Sequence, residues 1–336
     1  MPQRIEISYK TIVFTVLFIL GLWILWMIRD VILLLFISFI IVSALHAPVD
    51  RLNKKKIPRV LAITIVYLFV IAFIILIIGL IIPPLVEQTK ILIQNFPDLL
   101  DSLNKTIAFY QIPTRDLIQS AQNQITAVGQ NIFRFTASAF SVLIFFITIF
   151  VFTFYLLLQW QLVIRFLCSP FSGKTEEKII RFFDKLQHSL GAWVRGQLTL
   201  SLIVGILSFI GLTLLGIPYA LPLAIFAGLF EIIPIVGPII SAIPAILAAL
   251  TISPVLALAA AALYFVIQQT ENHLIVPQVM SRAVGLNPLI TILALMIGAK
   301  LMGLPGALLA IPVVILIKVS AEEFFAPKGD KSIPEI

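Results

Sequence analysis

Cysteine is almost missing from this sequence: Cys168 stands alone among 336 residues. That excludes an internal disulfide framework and a cysteine metal cluster. Charge is scarce as well. Asp, Glu, Lys and Arg make up 12% of the chain, against about 25% in a soluble domain. The three histidines, His46, His188 and His273, have no metal-ligand spacing, and no H-E-x-x-H or recognisable Ser/His/Asp set accompanies them. No metal, cofactor or catalytic residue is therefore expected, and the chain does not read as an enzyme. Ser172-Gly173-Lys174-Thr175 imitates the end of a P-loop, but Cys168 stands where the motif needs its first glycine, and an apolar run rather than a strand comes before it. Nucleotide-driven chemistry at that point is excluded.

What fills the sequence is apolar. Hydrophobic residues make up 60% and the mean hydropathy is +1.11. The net charge of +7 does not point to nucleic acid, because the cations sit in short loops between apolar runs. Runs near the roughly 20 residues of a spanning helix cover 11–28, 31–47, 60–82, 137–164, 198–215 and 255–275, with two interrupted tracts at 219–250 and 288–319. The expected fold class is an all-α polytopic membrane protein with about eight membrane elements, two of them broken or re-entrant, and an extracytoplasmic helical arm. No small-x-small cleavage site follows the first run, so it is expected to be retained. Only Arg29 and Asp30 join the first two runs, which predicts a tight hairpin.

Orientation follows from Lys and Arg in short loops. Arg51, Lys54, Lys55, Lys56 and Arg59 mark one cytoplasmic loop, and Arg165, Lys174, Lys178, Arg181, Lys185 and Arg195 mark another. Parity then puts both termini inside and 83–136 outside. The outer segment repeats apolar residues at helical spacing, from Leu92, Phe96, Leu99 and Leu103 to Ile118, Ile125 and Ile132. It reads as two amphipathic helices, either a covering hairpin or a contact between subunits. The segment 172–190 is a further amphipathic helix, with Thr175 available as a cap and Glu176 and Glu177 well placed against the helix dipole. It lies along the cytoplasmic interface or is a solvated connector. The resulting division is 1–82, 83–136, 137–164, 165–197, 198–320 for the C-terminal transport region, and 321–336 for the tail.

Polar groups at membrane depth carry the functional signal. The first four runs hold no acid. In the C-terminal half, Glu231 is followed by Pro234, Gly237, Pro238 and Pro244. Each proline removes a backbone donor and clashes with the carbonyl a turn back, so the tract cannot be one straight helix. A carboxylate beside broken backbone is how transporters build substrate and ion sites. Tyr264, Gln268 and Glu271 recur at helical spacing and would line one helix, although Glu271 also reads as an interfacial acid. Lys300 precedes a second breaker cluster, Gly303, Pro305 and Gly306, and either lines a path or snorkels to an interface. Shifted by 68 positions, Pro238 falls on Gly306 and Pro244 on Pro312, a faint internal likeness.

These residues also carry a resemblance. Glu231-Ile-Ile-Pro234-Ile-Val-Gly237-Pro238 with Pro244, then Glu271-Asn272, Pro277, Gly285-Leu-Asn287-Pro288, and Gly298, Gly303, Gly306 and Pro312 are similar to the signature of the autoinducer-2 exporter family, permease-like membrane proteins of bacteria. Asn287 departs from it, since histidine is expected before that proline. The resemblance implies export of small molecules, autoinducer-2 among them, sodium/proton antiport in other members, and homo-oligomers, with a pentamer as the expected state. It also implies the bacterial inner membrane.

The sequence therefore reads as an inner-membrane transporter working by alternating access around the two broken tracts. The candidate pathway residues are Glu231, Pro234, Gly237, Pro238, Gln268, Glu271, Asn272, Asn287, Pro288, Lys300, Gly303 and Gly306. A monovalent-cation/proton antiporter is the rival within that class, and a non-transporting membrane scaffold the rival outside it. Expected partners are the lipid bilayer, a small polar molecule or a cation and proton, and further copies of the chain. The loop charges predict that Lys55 and Lys178 face the cytoplasm and Lys105 the outside. Single cysteines at these positions, in a Cys168→Ala background, should be labelled from outside by impermeant reagent only at 105; labelling at 55 instead would reverse the orientation.

Overall fold

The computed structural model describes residues 9–107, 144–234, 236–283, 285 and 287–325. Among them the chain is helical apart from short turns and contains no strand. The elements are α1 (Tyr9–Met27), α2 (Arg29–Lys54), α3 (Arg59–Ile107), α4 (Ile144–Cys168), α5 (Lys174–Leu214), α6 (Ala220–Phe230), α7 (Val236–Leu250), α8 (Pro254–Thr270), α9 (Val276–Ala283) and α10 (Pro288–Ser320). One π-helical turn, Glu271–Ile275, joins α8 to α9, and another, Ala321–Phe325, extends α10. Among the described residues, six helical stretches are long and apolar enough to cross a membrane.

The N-terminal hairpin is not formed. Helical hydrogen bonds run from Ile28 N to the Ile24 carbonyl and from Ile32 N to the Ile28 carbonyl, so α1 continues into α2 with a bend at Ile28. No glycine or proline stands at 28–30 to end the helix, and Arg29 and Asp30 are absorbed into it. Three boundaries drawn from sequence also fall inside helices. α3 passes through 82/83 and on through Pro97 to Ile107, α4 passes through 164/165, and α5 passes through 197/198. The segment 172–190 is thus the first half of a 41-residue helix. Its apolar face is covered by protein: Leu186, Leu190 and Trp193 share a core with Ile40 of α2 and Ile311, Ile315 and Val319 of α10, and Phe183 meets Phe39 and Trp160. Gly173, with φ 60, is the cap position in place of Thr175, while Glu176 and Glu177 lie in the first turn as expected. Residues 108–136 of the outer arm and 326–336 of the tail lie outside the described residues.

Both interrupted tracts are helical hairpins. α6 and α7 have 11 and 15 residues, about 16 and 22 Å at 1.5 Å per residue, each short of the ~30 Å hydrocarbon core. Pro234 has no N–H for the Phe230 carbonyl, and it drives Ile233 away from helical geometry. The Ile233 amide bonds that carbonyl instead, in a turn. Pro238 falls in the first turn of α7, where the missing donor has no helical partner anyway, and Pro244 is carried inside α7 without ending it. In α10 the break is Gly303, at φ 64 and ψ −139. Gly298 and Gly306, which a straight helix would hold about 12 Å apart, are in backbone contact: a Cβ on Gly306 would lie 2.0 Å from the Gly298 oxygen.

The long α5 shows how the hairpins are set. Glu323, just past α10, accepts from Arg181 at 3.0 Å and Lys185 at 2.7 Å, and the core shared with Leu186 to Trp193 carries α10 back towards Ile311. The second hairpin therefore runs up α5 from its N-terminal end. The first comes from the other end: Leu212 and Ile217 pack with Ala248 and Ala249 near its open side, Gly228 sits against the Ser201 carbonyl, and its tip reaches Gln197. The two hairpins enter from opposite ends of α5, with their tips directed at its middle.

Gly306→Ala should force the second hairpin apart and cost about 1–3 kcal/mol, the usual range for overpacking. Gly79→Ala, where an added Cβ meets nothing within 4 Å, should be neutral or stabilising by up to ~1 kcal/mol. Thermal unfolding in detergent compares them; equal melting temperatures would mean that the Gly298–Gly306 contact does not hold the hairpin.

Candidate functional site: a buried carboxyl pair at a hairpin tip

Glu231 is the first residue beyond α6, at the break, and it is completely buried. Glu271 follows α8 and opens the π-helical turn, and it is 2% exposed. Their carboxyl groups face one another. Single π turns inside helices recur at functional sites; here the turn begins at the residue that meets the hairpin tip. Neither oxygen of Glu231 receives a hydrogen bond from a protein donor. Two ionised carboxylates are acceptors only, so the pair cannot satisfy itself without a proton or a cation between its oxygens.

The surroundings repeat this excess of acceptors. Gln197 of α5 donates through Nε2 to the Glu231 carbonyl, one of the groups freed by the break, and its own Oε1 is buried without a donor. Gln268 donates to Glu271 Oε2 at 3.3 Å and lies 3.4 Å from Asn272 Oδ1. Ser241 of α7, completely buried, donates to the Pro238 carbonyl at 3.1 Å. Gly237 is required by the approach itself, since a Cβ there would meet the Phe230 oxygen at 1.9 Å. Among the described residues no group of three or more His, Cys, Asp or Glu forms a metal centre.

The fold gathers Glu231, Pro234, Gly237, Pro238, Gln268, Glu271 and Asn272 around the tip of the first hairpin. It leaves Lys300 and Gly303 exposed on the second, while Gly306 serves the backbone contact there. Asn287 caps α10, accepting from Leu289 N at 2.9 Å, with Pro288 in the first turn; a histidine is not needed for that task. Gln197 is not among the sequence candidates because it stands just before the apolar run 198–215; the uncharged amide at the start of that run was the available signal. A groove of about 600 Å³ between α3, α5 and α6 comes close to the tip, but its walls are apolar, from Phe73 and Leu76 to Leu229 and Ile232. Neither carboxyl group lines it.

An all-α chain with several membrane crossings, two opposed hairpins and a buried carboxyl pair belongs to the polytopic membrane proteins. Residues 12–326 match the family described as AI-2E family transporter, and the chain belongs to that family. It is 33% identical to YueF of Bacillus subtilis, named as a transport protein, over 81% of this chain and 78% of that one. It is 28% identical to YrrI of the same organism, named in the same way, over 89% and 88%. A sodium-lithium/proton antiporter of Halobacillus andaensis is 25% identical over 81% and 82%.

Gln197→Leu removes the donor to the Glu231 carbonyl and leaves it buried and unpaired. The loss should be about 1–3 kcal/mol, read as a lowered melting temperature in detergent. An unchanged melting temperature would show that the break is held by other contacts.

Proposed function

We propose that this chain is a secondary transporter that exchanges protons for a small monovalent cation, with Glu231 and Glu271 as the shared site. The observation that carries the reading is the buried pair of facing carboxyl groups with no protein donor to Glu231. The apolar groove beside the tip is lined by neither carboxyl group, and burial this deep suits a proton or a dehydrated ion as the occupant. Small hard cations take oxygen ligands, and carboxylate, amide and backbone oxygens are what the tip offers. In one state the pair holds a proton, which makes one carboxyl a donor and the other an acceptor. In the other state it releases that proton and takes the cation. The antiporter relative lends this reading support.

Opposed hairpins with central tips suit alternating access, in which each tip seals the site from one side. Loop charge bias supports a cytoplasmic position for 50–59 and 165–195. The contact of Glu323 with Arg181 and Lys185 supports the same side for the end of α10. The continuity of α1 and α2 removes the parity argument for a cytoplasmic N-terminus. The bacterial inner membrane and a homo-oligomer remain part of the proposal, from the family.

Export of a small organic molecule is the second reading, favoured by the family's description. Glu231→Gln separates the possibilities. In proteoliposomes an imposed sodium gradient should drive proton movement through the unaltered protein, and the variant, correctly folded, should lose it. No sodium-driven proton movement in the unaltered protein would favour the exporter reading; flux that persists unchanged in the variant would make Glu231 structural.

A further inference from the structure

Two buried hydroxyls lie beyond the carboxyl pair and have no part in it. Tyr264 of α8 is 6% exposed and Ser208 of α5 is completely buried. The hydroxyls face one another across the α5–α8 contact, yet neither completes a hydrogen bond with a protein group. A buried hydroxyl without a partner costs about 1–3 kcal/mol, a cost that a water or a proton passing between the two would offset. Their position suits that passage. Tyr264, Gln268 and Glu271 stand on one face of α8, and Gln268 already touches Glu271. Tyr264 is two turns, about 10 Å, from Glu271, on the side towards the open end of the first hairpin. Ser208 likewise lies beyond Gln197 towards Leu212, where α5 meets that open end. The titratable groups along this face are Tyr264, Glu271 and, facing Glu271, Glu231.

We propose that the Tyr264 and Ser208 hydroxyls form the outer stage of the path by which the carboxyl pair exchanges its proton with the side on which α6 and α7 open. The proposal rests on the carboxyl-pair reading above. The relay takes a water in the turn between Gln268 and Tyr264 as its first carrier. A proton released by the pair passes to that water. The Tyr264 oxygen accepts a proton from the water side while its own O–H proton moves on to Ser208 Oγ, and Ser208 hands its original proton outward. Each hydroxyl ends neutral, one proton has moved, and no redox partner is needed. Both groups are positioning residues for the proton and do not touch the cation.

Tyr264→Phe and Ser208→Ala each remove one oxygen and add no bulk, so neither overpacks the contact between Gly211 and Leu263. In proteoliposomes of the full chain, with sodium as the driving ion and a pH-sensitive dye inside, Tyr264→Phe should slow proton movement on the order of 10²-fold, the scale of a lost proton-transfer group. Sodium affinity, measured by calorimetry, should stay as in the unaltered protein. Wild-type proton rates in both variants, while Glu231→Gln has lost its flux, would overturn the relay and leave the carboxyl pair standing. Flux retained by Glu231→Gln would overturn both. A loss of sodium affinity in Tyr264→Phe matching its loss of rate would make the hydroxyl part of the cation site, and the relay would fall.

Discussion

The first hairpin depends on a hydrogen bond that cannot be made. Pro234 has no N–H to give the Phe230 carbonyl, and in the hydrocarbon core no water can take its place. The chain resolves this by turning: Ile233 N takes up the Phe230 carbonyl, and Gln197 reaches across from α5 to the Glu231 carbonyl. The same turn sets the Glu231 side chain at the tip, where α8 delivers Glu271. The backbone defect and the carboxyl pair are one arrangement. Mending the helix would withdraw the carboxylate from its partner.

The long helix α5 carries both hairpins and gives them a common axis. Small residues make this possible. Gly191 lets α2 come close at Ser43, Gly205 and Gly228 let α6 lie against α5, and Gly211 receives Leu263 of α8. Without an aqueous solvent to drive helices together, such close approaches supply packing attraction. At its other end α5 fastens the second hairpin with Glu323 between Arg181 and Lys185, and with Phe182 against Phe324 at 5.4 Å. The half of α5 that looked like a surface helix is the mount for the second hairpin.

The faint internal likeness at a shift of 68 positions gains meaning from the hairpins. The same shift carries Phe230 onto Gly298. Each stands at its own hairpin's close approach, Phe230 against Gly237 and Gly298 against Gly306. The two units nevertheless differ where chemistry is concerned. The first holds a buried carboxylate at its tip, whereas the second turns at a bare glycine, with the exposed Lys300 one turn before it.

The sequence by itself determined the membrane setting, the helical class, the two interruptions and the polar face of Tyr264, Gln268 and Glu271. All of these come from local chemistry: apolar run length, missing amide donors at proline, and the 3.6-residue period. Loop chemistry misled at Arg29 and Asp30, because two charged residues do not end a helix that has neither glycine nor proline beside them. Only the tertiary structure decided that Glu231 and Glu271, 40 residues apart, face each other, that Gln197 holds the broken backbone, and that the hairpins enter from opposite ends of α5. Those relations belong to no window of sequence. They are fixed by which helix faces the others can bury, and by how closely the glycines let the backbones approach.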